Sequence, residues 1–536
     1  MRIDRNTTHT TMAPSAAPEV DLNNDNKSQD EKRKISSEDS GSTMEGQTTS
    51  KAADAALQFV HEQAIEIDEE TDKRIRRKID WHILPWMCTL YLLQYMDKVT
   101  LSYAAVMGIK EDTHLTASQY SWTGSIFYLG YLAFEYPHNR LMQRFPVGKY
   151  VAANVIVWGA MLAATAGTTS FAGIMVVRFF LGAFEGAVTA GFVLMTSQWY
   201  RANEQTFRTA IWFSFNGWAS IVGGALAYGI ARGFRENTSI TFEAWKALFI
   251  IFGLTTSLFG VGMFFFLADS PITAKWLSDE ERRLAVERLR GNQQGLGSRV
   301  FKWYQVKETF TDIRTYLIFL FMVSLDIPNG GITVFFTQLI QGYGFTSEET
   351  LLISMPGGIV QLASNVGIPY MAYRLNQRYL SGCFGILCGI FGIALMAGLA
   401  MDDPLNKRIG QLVGYYMIIG NSATGLIIIL GTISTNTAGY TKKTTVNAIA
   451  LIGYCVGFLI GPQSFRDGPY YANAKYVMIG MWTVALMLML ALWFINKQEN
   501  KRRDLQAAAE GLPPQPAGQE FLDLTDKENK YFRYAL

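Results

Sequence analysis

Four charged residues lie inside long apolar runs of this chain. Asp97 and Lys98 are adjacent in Gln94-Tyr-Met-Asp-Lys-Val99, and Arg178 and Glu185 bracket the run Arg178-Phe-Phe-Leu-Gly-Ala-Phe-Glu185. A charge at the centre of a bilayer costs at least about 2.5 kcal/mol on insertion scales, so such residues mark ion or substrate paths. On a helix, positions 97 and 98 project roughly 100° apart, and two such neighbours do not both face lipid cheaply. Positions 178 and 185 are two turns and about 10 Å apart along one face, so both can point into one cavity. A carboxylate held out of water exchanges a proton as a cation approaches or leaves, which makes Asp97 and Glu185 candidate proton carriers. Lys98 and Arg178 are then the groups that attract an anion or hold the carboxylates ionised. No Gly-x-x-x-x-Gly-Lys-Ser/Thr loop is present, so the energy for this chemistry is expected from a gradient. No nucleophile–base pair, metal-ligand cluster or cofactor loop stands out, and neither an enzyme nor a metal or cofactor is expected.

The elements that position these charges follow from composition and hydropathy. Of 536 residues, 49% are hydrophobic and only 17% charged, as expected of a surface that faces lipid. The net charge of +2 gives no reason to expect a nucleic-acid partner. Apolar stretches recur from Ile83 to Ile495, each near the length of about 20 residues that a helix needs to cross the hydrocarbon. They read as twelve transmembrane helices, hence an all-α membrane protein of two six-helix bundles. The expected organisation is a disordered tail over 1–72, a first bundle over 73–268, a central polar stretch over 269–315, a second bundle over 316–496 and a tail over 497–536. The central stretch contains a surface helix after Ser278, a candidate N-cap with acids in its first turn. Its basic residues and those of the two tails place both termini in the cytosol under the positive-inside rule, with the short loops nearly neutral in the vote. Asn237-Thr-Ser239 is then an outside sequon, which makes Asn237 a possible glycosylation site and the chain a glycoprotein candidate. Cys88, Cys383, Cys388 and Cys455 lie in apolar runs without ligand spacing and read as packing residues.

A short internal repeat supports the six-plus-six division. Arg140-Leu-Met-Gln-Arg-Phe145 follows the second segment and Arg374-Leu-Asn-Gln-Arg-Tyr379 follows the eighth, as a parallel repeat about the membrane normal would produce. Arg140, Arg144, Arg374 and Arg378 are accordingly expected at a cytosolic gate. In the second half, Asp326-Ile-Pro-Asn-Gly-Gly331 is expected to interrupt the seventh helix, and Asn421 with Ser422 to open a soft stretch in the tenth, so that Asn329 and Asn421 line a binding wall. Glu135 and His138 close the second helix, where snorkelling is easy. Gly453, Gly457 and Gly461 permit close packing ahead of Pro462.

These residues resemble the major facilitator superfamily and, within it, the fungal allantoate permease-like branch of the anion:cation symporters, over roughly Ile83 to Ile495. The carriers of the resemblance are Tyr95-Met-Asp-Lys98, the Arg178-to-Glu185 run, Asn436-Thr-Ala-Gly-Tyr-Thr-Lys-Lys443 and Gly453-Tyr-Cys-Val-Gly-Phe-Leu-Ile-Gly-Pro-Gln463. The resemblance implies proton-coupled movement of a carboxylate nutrient or vitamin, such as allantoate, ureidosuccinate, nicotinate, pantothenate or biotin. It also implies that Asp97 and Glu185 bind protons, that Lys98 holds the substrate carboxylate, and that Arg178 pairs with the helix-four acid. Lysine stands where the family's bacterial galactonate carrier has arginine, so a point charge replaces a bidentate grip. Phe458 stands where fungal relatives often carry asparagine, which removes a hydrogen bond from the expected substrate wall. The expected protein is a monomeric plasma-membrane symporter whose partners are protons, a small organic anion and the lipid bilayer. Its rivals are an exporter of a fungal secondary metabolite and a nutrient receptor that binds without transport.

Overall fold

Backbone polar groups find no water in hydrocarbon, so a chain that crosses it repeatedly closes its hydrogen bonds along helices. A computed structural model describes residues 67–237, 241–294, 301–399, 406–468, 470–510 and 524–536, and every regular element among the described residues is helical. The first half contains α1 (Glu69–Val106), α2 (Ala117–Arg144), α3 (Val147–Ala164), α4 (Phe171–Glu185), α5 (Ala187–Trp199), α6 (Ala202–Glu236) and α7 (Ala244–Phe266). Two shorter polar helices, α8 (Asp279–Gln294) and α9 (Trp303–Phe310), lead to the second half. That half contains α10 (Ile313–Gln341), α11 (Ser347–Leu375), α12 (Arg378–Gly398), α13 (Asn406–Asn421), α14 (Thr424–Asn436), α15 (Tyr440–Ile460) and α16 (Ala472–Glu510). The pairs α4–α5 and α13–α14 each form one broken segment, which gives twelve segments in two bundles of six. Ten of these are long and apolar enough to cross a membrane by length and composition. The other two, α1 and α2, have 38 and 28 residues. Site residues such as Gln94, Asp97, Lys98 and Thr100 dilute the apolar run of α1.

The same packing recurs in both halves. Helix α1 packs on α6, α2 on α4 and α3 on α7, and the equivalent pairs α10–α15, α11–α13 and α12–α16 are also in contact. The two bundles meet through α6–α11, α1–α10 and α2–α15. Close approach of α2 and α4 rests on two glycines: a Cβ at Gly182 would lie 1.9 Å from the Phe127 carbonyl oxygen, and one at Gly130 2.0 Å from that of Phe179. Any side chain there would push apart the helices that carry Lys98's neighbours and Glu185.

Local signals set the ends. Asp68 caps α1 by accepting from the Thr71 N–H at 2.9 Å, and Thr116 with Gln119 forms a reciprocal capping box at the start of α2. Ser278 and Glu281 form the same box ahead of α8, at 3.2 and 3.0 Å. Arg288 of α8, with no exposed side-chain surface, donates to Asp72 Oδ1 at 2.8 Å and to Glu204 at 2.9 Å, which fastens α8 to the starts of α1 and α6. Most of 1–72 lies outside the described residues, but Glu69–Asp72 already belong to α1. The sequon at Asn237 also runs outside them, with Asn237 as the C-cap of α6.

Two expectations are corrected. The seventh segment is not interrupted at Asp326-Ile-Pro-Asn-Gly-Gly331: α10 runs unbroken through Pro328. The helix survives because Gly330 and Gly331 let Phe458 and Phe465 pack directly on its backbone, which holds the turn that proline weakens. The two copies of the arginine hexapeptide also differ in structure. Arg140 and Arg144 end α2, whereas Asn376, at φ 51°, breaks the chain between Arg374 and Arg378, and Arg378 begins α12.

The last described stretch, 524–536, folds back under the second bundle. Tyr534 is buried and donates its hydroxyl to Asp526 Oδ2 at 2.7 Å, with the Arg314 guanidinium 4.2 Å from its ring. Asn436 exchanges two hydrogen bonds with the Ala535 backbone, at 2.9 and 2.7 Å. Lys442 reaches Asp526 at 2.7 Å, Glu308 at 2.8 Å and Asp312 at 3.1 Å. The motif Asn436-to-Lys443 is thus the dock for the C-terminal segment.

Burial opposes the charge of Asp312, but Lys442 and then Arg314 outweigh it and hold its carboxyl below the ordinary value of 3.8. A lowered folded-state value means that this stabilisation is present above about pH 4 and is lost as pH falls through the folded-state value. Docking of the C-terminal segment, read as resistance to carboxypeptidase, is therefore expected to hold from neutral pH to about 4 and to weaken below it. Lys442→Met should remove roughly 3–5 kcal/mol, because two buried carboxylates and a half-buried one lose a shared cation. An unchanged unfolding temperature in detergent would contradict this.

Candidate functional site

The fourth segment breaks at Gly186, directly after Glu185, so the acid sits where backbone regularity is interrupted within the bundle. Its side chain is fully buried, and Lys98 of α1 places Nζ 3.1 Å from Glu185 Oε1 while keeping 17% of its own side chain exposed. The exposed part of the pair is thus the cation. Lys98 also lies over the Phe127 ring at 5.9 Å, and Gln94, one turn earlier on α1, faces Glu185.

Asp97 turns the other way. It is fully buried and accepts at Oδ2 from the Thr256 hydroxyl of α7 at 3.0 Å, while Oδ1 has no hydrogen-bond partner in the structure. Arg178 is also buried, within electrostatic reach of Tyr120, Glu185, Tyr128 and Asp97. The four charges of the sequence reading are therefore brought together in one region of the first bundle. The pairing differs from the family expectation: the ion-pair contact to Glu185 is made by Lys98, and Arg178 contributes to the surrounding field. Lys98 reaches because the α2–α4 crossing at Gly130 and Gly182 draws the Glu185 backbone in behind Phe127.

Tyr128, within electrostatic reach of Glu185, begins an aromatic wall. Phe458 of α15 lies 4.4 Å from Tyr128 and 4.5 Å from Tyr454, centroid to centroid, so it is held in a cluster that bridges the bundles. Asn329 is buried and donates from Nδ2 to Asp326 Oδ1 at 3.0 Å and to the Ser422 carbonyl at 2.9 Å, leaving its Oδ1 without a partner. Asn421 ends α13 and donates to the Met417 carbonyl at 2.9 Å. Asn329 thus ties α10 to the break between α13 and α14 with both amide hydrogens used, whereas Asn421 bonds back along its own helix. Arg140, Arg144 and Arg374 are exposed at the end that carries α8, and Arg378 donates from its backbone N–H to the Leu536 carbonyl at 2.6 Å.

Residues that the sequence reading missed complete the region. Gln361 and Asn365 of α11 are buried with unpartnered side-chain atoms, and Tyr95 interacts with Gln361 across the interface. Their signal was available: Gln361, Ser364 and Asn365 put polar groups at helical spacing on one face of an apolar segment. Tyr128 and Tyr454 gave no signal, because aromatic residues are common throughout the chain.

One end of the bundle interface is sealed. Thr337 donates to the Ser102 carbonyl at 2.6 Å, Tyr120 donates to the Val334 carbonyl at 3.0 Å, and Lys110 donates to Gln338 at 2.8 Å. Arg235 and Glu348 add an ion pair at 2.9 Å. These contacts lie at the end of α1 remote from α8, and Ser102 is one helical turn beyond Lys98. The Lys98–Glu185 pair therefore lies immediately beneath a closed end.

Residues 87–462 match the family model of the Major Facilitator Superfamily. The chain is 41% identical over 495 residues to an uncharacterized transporter of Schizosaccharomyces pombe, covering 92% of this chain and 95% of that protein. It is 38% identical over 502 residues to the allantoate permease of Saccharomyces cerevisiae, covering 90% of each. The thiamine pathway transporter of the same yeast is 33% identical over 530 residues, covering 95% of this chain and 98% of that protein. Among solved structures, a bacterial homologue of the human lysosomal transporter Spinster, inward-facing and occupied, superposes with a TM-score of 0.58 at 15% identity, over 77% of this chain and 95% of its own. A D-xylose–proton symporter gives 0.57 at 15% identity, over 76% and 97%. At these identities the two structures speak to the fold.

Lys98→Met leaves the Glu185 carboxylate buried without its contact cation, which should cost about 3 kcal/mol of stability in detergent. The double variant Lys98→Met/Glu185→Leu should recover most of it. Equal unfolding temperatures for wild type and Lys98→Met would show that the pair carries no such load.

Proposed function

The chain belongs to the major facilitator superfamily, and from that membership and the Lys98–Glu185 contact we propose that it is a proton-coupled importer of a small organic anion. In this reading it sits in the plasma membrane with both termini cytosolic, so that the sealed end faces outward and the pair opens inward. The two bundles rock about the contacts α1–α10, α2–α15 and α6–α11. The observation that carries the proposal is that Lys98, the partly exposed member of the pair, is also the cation in contact with the buried acid Glu185.

The coupling follows from competition for that cation. While Glu185 is ionised, Lys98 neutralises it and has little to offer a ligand. A proton from the outside water bonds to a Glu185 carboxylate oxygen and makes the acid neutral, which frees the ammonium to hold a carboxylate. Loss of the cargo on the inside lets Lys98 return, and its approach favours release of the proton. Arg178 adds positive field and Asp97, held by Thr256, is a second proton carrier beside it. Tyr128, Tyr454 and Phe458 supply an apolar face for the body of the cargo. The relative named allantoate permease supports an anionic cargo, and allantoate, nicotinate and pantothenate are the first probes to try.

Uptake of a labelled carboxylate from that set by reconstituted vesicles should rise about tenfold for each proton coupled when an inward gradient of about one pH unit is imposed. Glu185→Gln should remove the stimulation and retain exchange of internal for external cargo. Lys98→Arg should retain uptake, with Lys98→Gln losing it. Uptake by the unmodified protein that ignores the gradient would refute the proposal.

A further inference from the structure

The mechanism above uses acids of the first bundle only, yet the second bundle buries one of its own. Asp326 of α10 is 1% exposed. Its Oδ1 accepts from Asn329 Nδ2 at 3.0 Å, and its Oδ2 has no hydrogen-bond partner in the structure. Helix α15 closes over it, since a Cβ at Gly457 would lie 2.7 Å from Asp326 Cβ.

Among the described residues the groups around it are few and none is basic. From α15, Tyr454 and Cys455 are within electrostatic reach. From the α13–α14 break comes the Ser422 carbonyl, already an acceptor from Asn329. From α16, the Trp482 indole N–H is donated to the Leu325 carbonyl at 3.1 Å and is spent there. Among the described residues, the nearest cation with a traceable link is Lys98, which shares Cys455 as a neighbour with Asp326. Among the described residues this carboxylate has one hydrogen bond and no counter-ion, so binding a proton removes the cost of burying its charge.

Its place also links it to the aromatic wall. Tyr454, within electrostatic reach of Asp326, is part of that wall, 6.1 Å from Tyr128 and 4.5 Å from Phe458. Pro328, two residues along, has no N–H to give the preceding turn, so α10 is weakest at the level of the acid. Helix α10 is itself one of the elements on which the bundles move against each other.

We propose that Asp326 is a third proton carrier, separate from Glu185 and Asp97 and belonging to the second bundle. A proton from water bonds to Oδ2 and gives the neutral acid. In the alternate arrangement of the bundles the O–H bond breaks, the proton passes to cleft water, and the carboxylate keeps the Asn329 N–H. This rests on the symporter reading and adds a coupled proton to it.

Infrared difference spectra of the purified full chain between about pH 5 and about pH 8 test the exchange without any cargo. The expected result is a titrating carboxylic C=O band that persists in Glu185→Gln and Asp97→Asn and is lost in Asp326→Asn. In vesicles, Asp326→Asn should lower gradient-driven accumulation of allantoate, or of whichever carboxylate probe the wild type carries, about tenfold per unit of pH difference, with exchange retained. Should Asp326→Asn fail to fold, mapping of dicyclohexylcarbodiimide adducts on the wild type decides, because labelling of Asp326 must rise at low pH. A band or adduct that ignores pH would make Asp326 a permanent structural acid and overturn the inference, with the role of Glu185 untouched. Wild-type uptake without gradient dependence would instead remove the symporter reading, whatever the Asp326 band does.

Discussion

An ionised group leaves water for a bundle core only if an opposite charge, a proton or a set of hydrogen bonds goes with it, and this constraint organises the whole site. Glu185 meets it with Lys98 at 3.1 Å. Asp97 meets it with one hydroxyl at 3.0 Å and the field of Arg178. Asp326 has one amide and, among the described residues, no counter-ion. The three acids thus stand at three levels of compensation, and the structure around each exists to set that level. The glycine crossing of α2 and α4 brings Glu185 within reach of Lys98, while the glycines of α15 bring backbone over Asp326.

The charged residues were legible because lipid makes them conspicuous: four of them in apolar runs pointed to one region, and the structure puts them there. Partner choice was not legible, since spacing along α4 relates Arg178 to Glu185 but says nothing about α1, which reaches Glu185 through a packing contact. The helices themselves were readable from hydropathy, and the break in the tenth segment from Asn421 and Ser422. The Pro-Gly-Gly run of α10 misled because local propensity predicts an interruption, and tertiary packing by Phe458 and Phe465 overrides it. Asn329 and Asn421 were expected to line a binding wall; in the structure the Asn329 amide ties α10 to the break of the tenth segment, and that of Asn421 bonds back within α13.

The tail illustrates the same limit from another side. Asn436-to-Lys443 stood out as a pattern without a stated purpose, and only the folded chain shows its partner to be residues 524–536. Three acids from different stretches converge on Lys442, a convergence that no local window of sequence contains. The aromatic wall is equally non-local, with Tyr128 on one bundle and Tyr454 and Phe458 on the other.

The central claim is that Lys98 is shared, held by Glu185 when the acid is charged and by cargo when it is protonated. Titration calorimetry of an anion that binds the purified protein, run near neutral pH in two buffers of different ionisation enthalpy, counts the protons taken up on binding. The account predicts net uptake of protons by the wild type, reduced in Glu185→Gln. Anion binding that draws no proton from either buffer would contradict it.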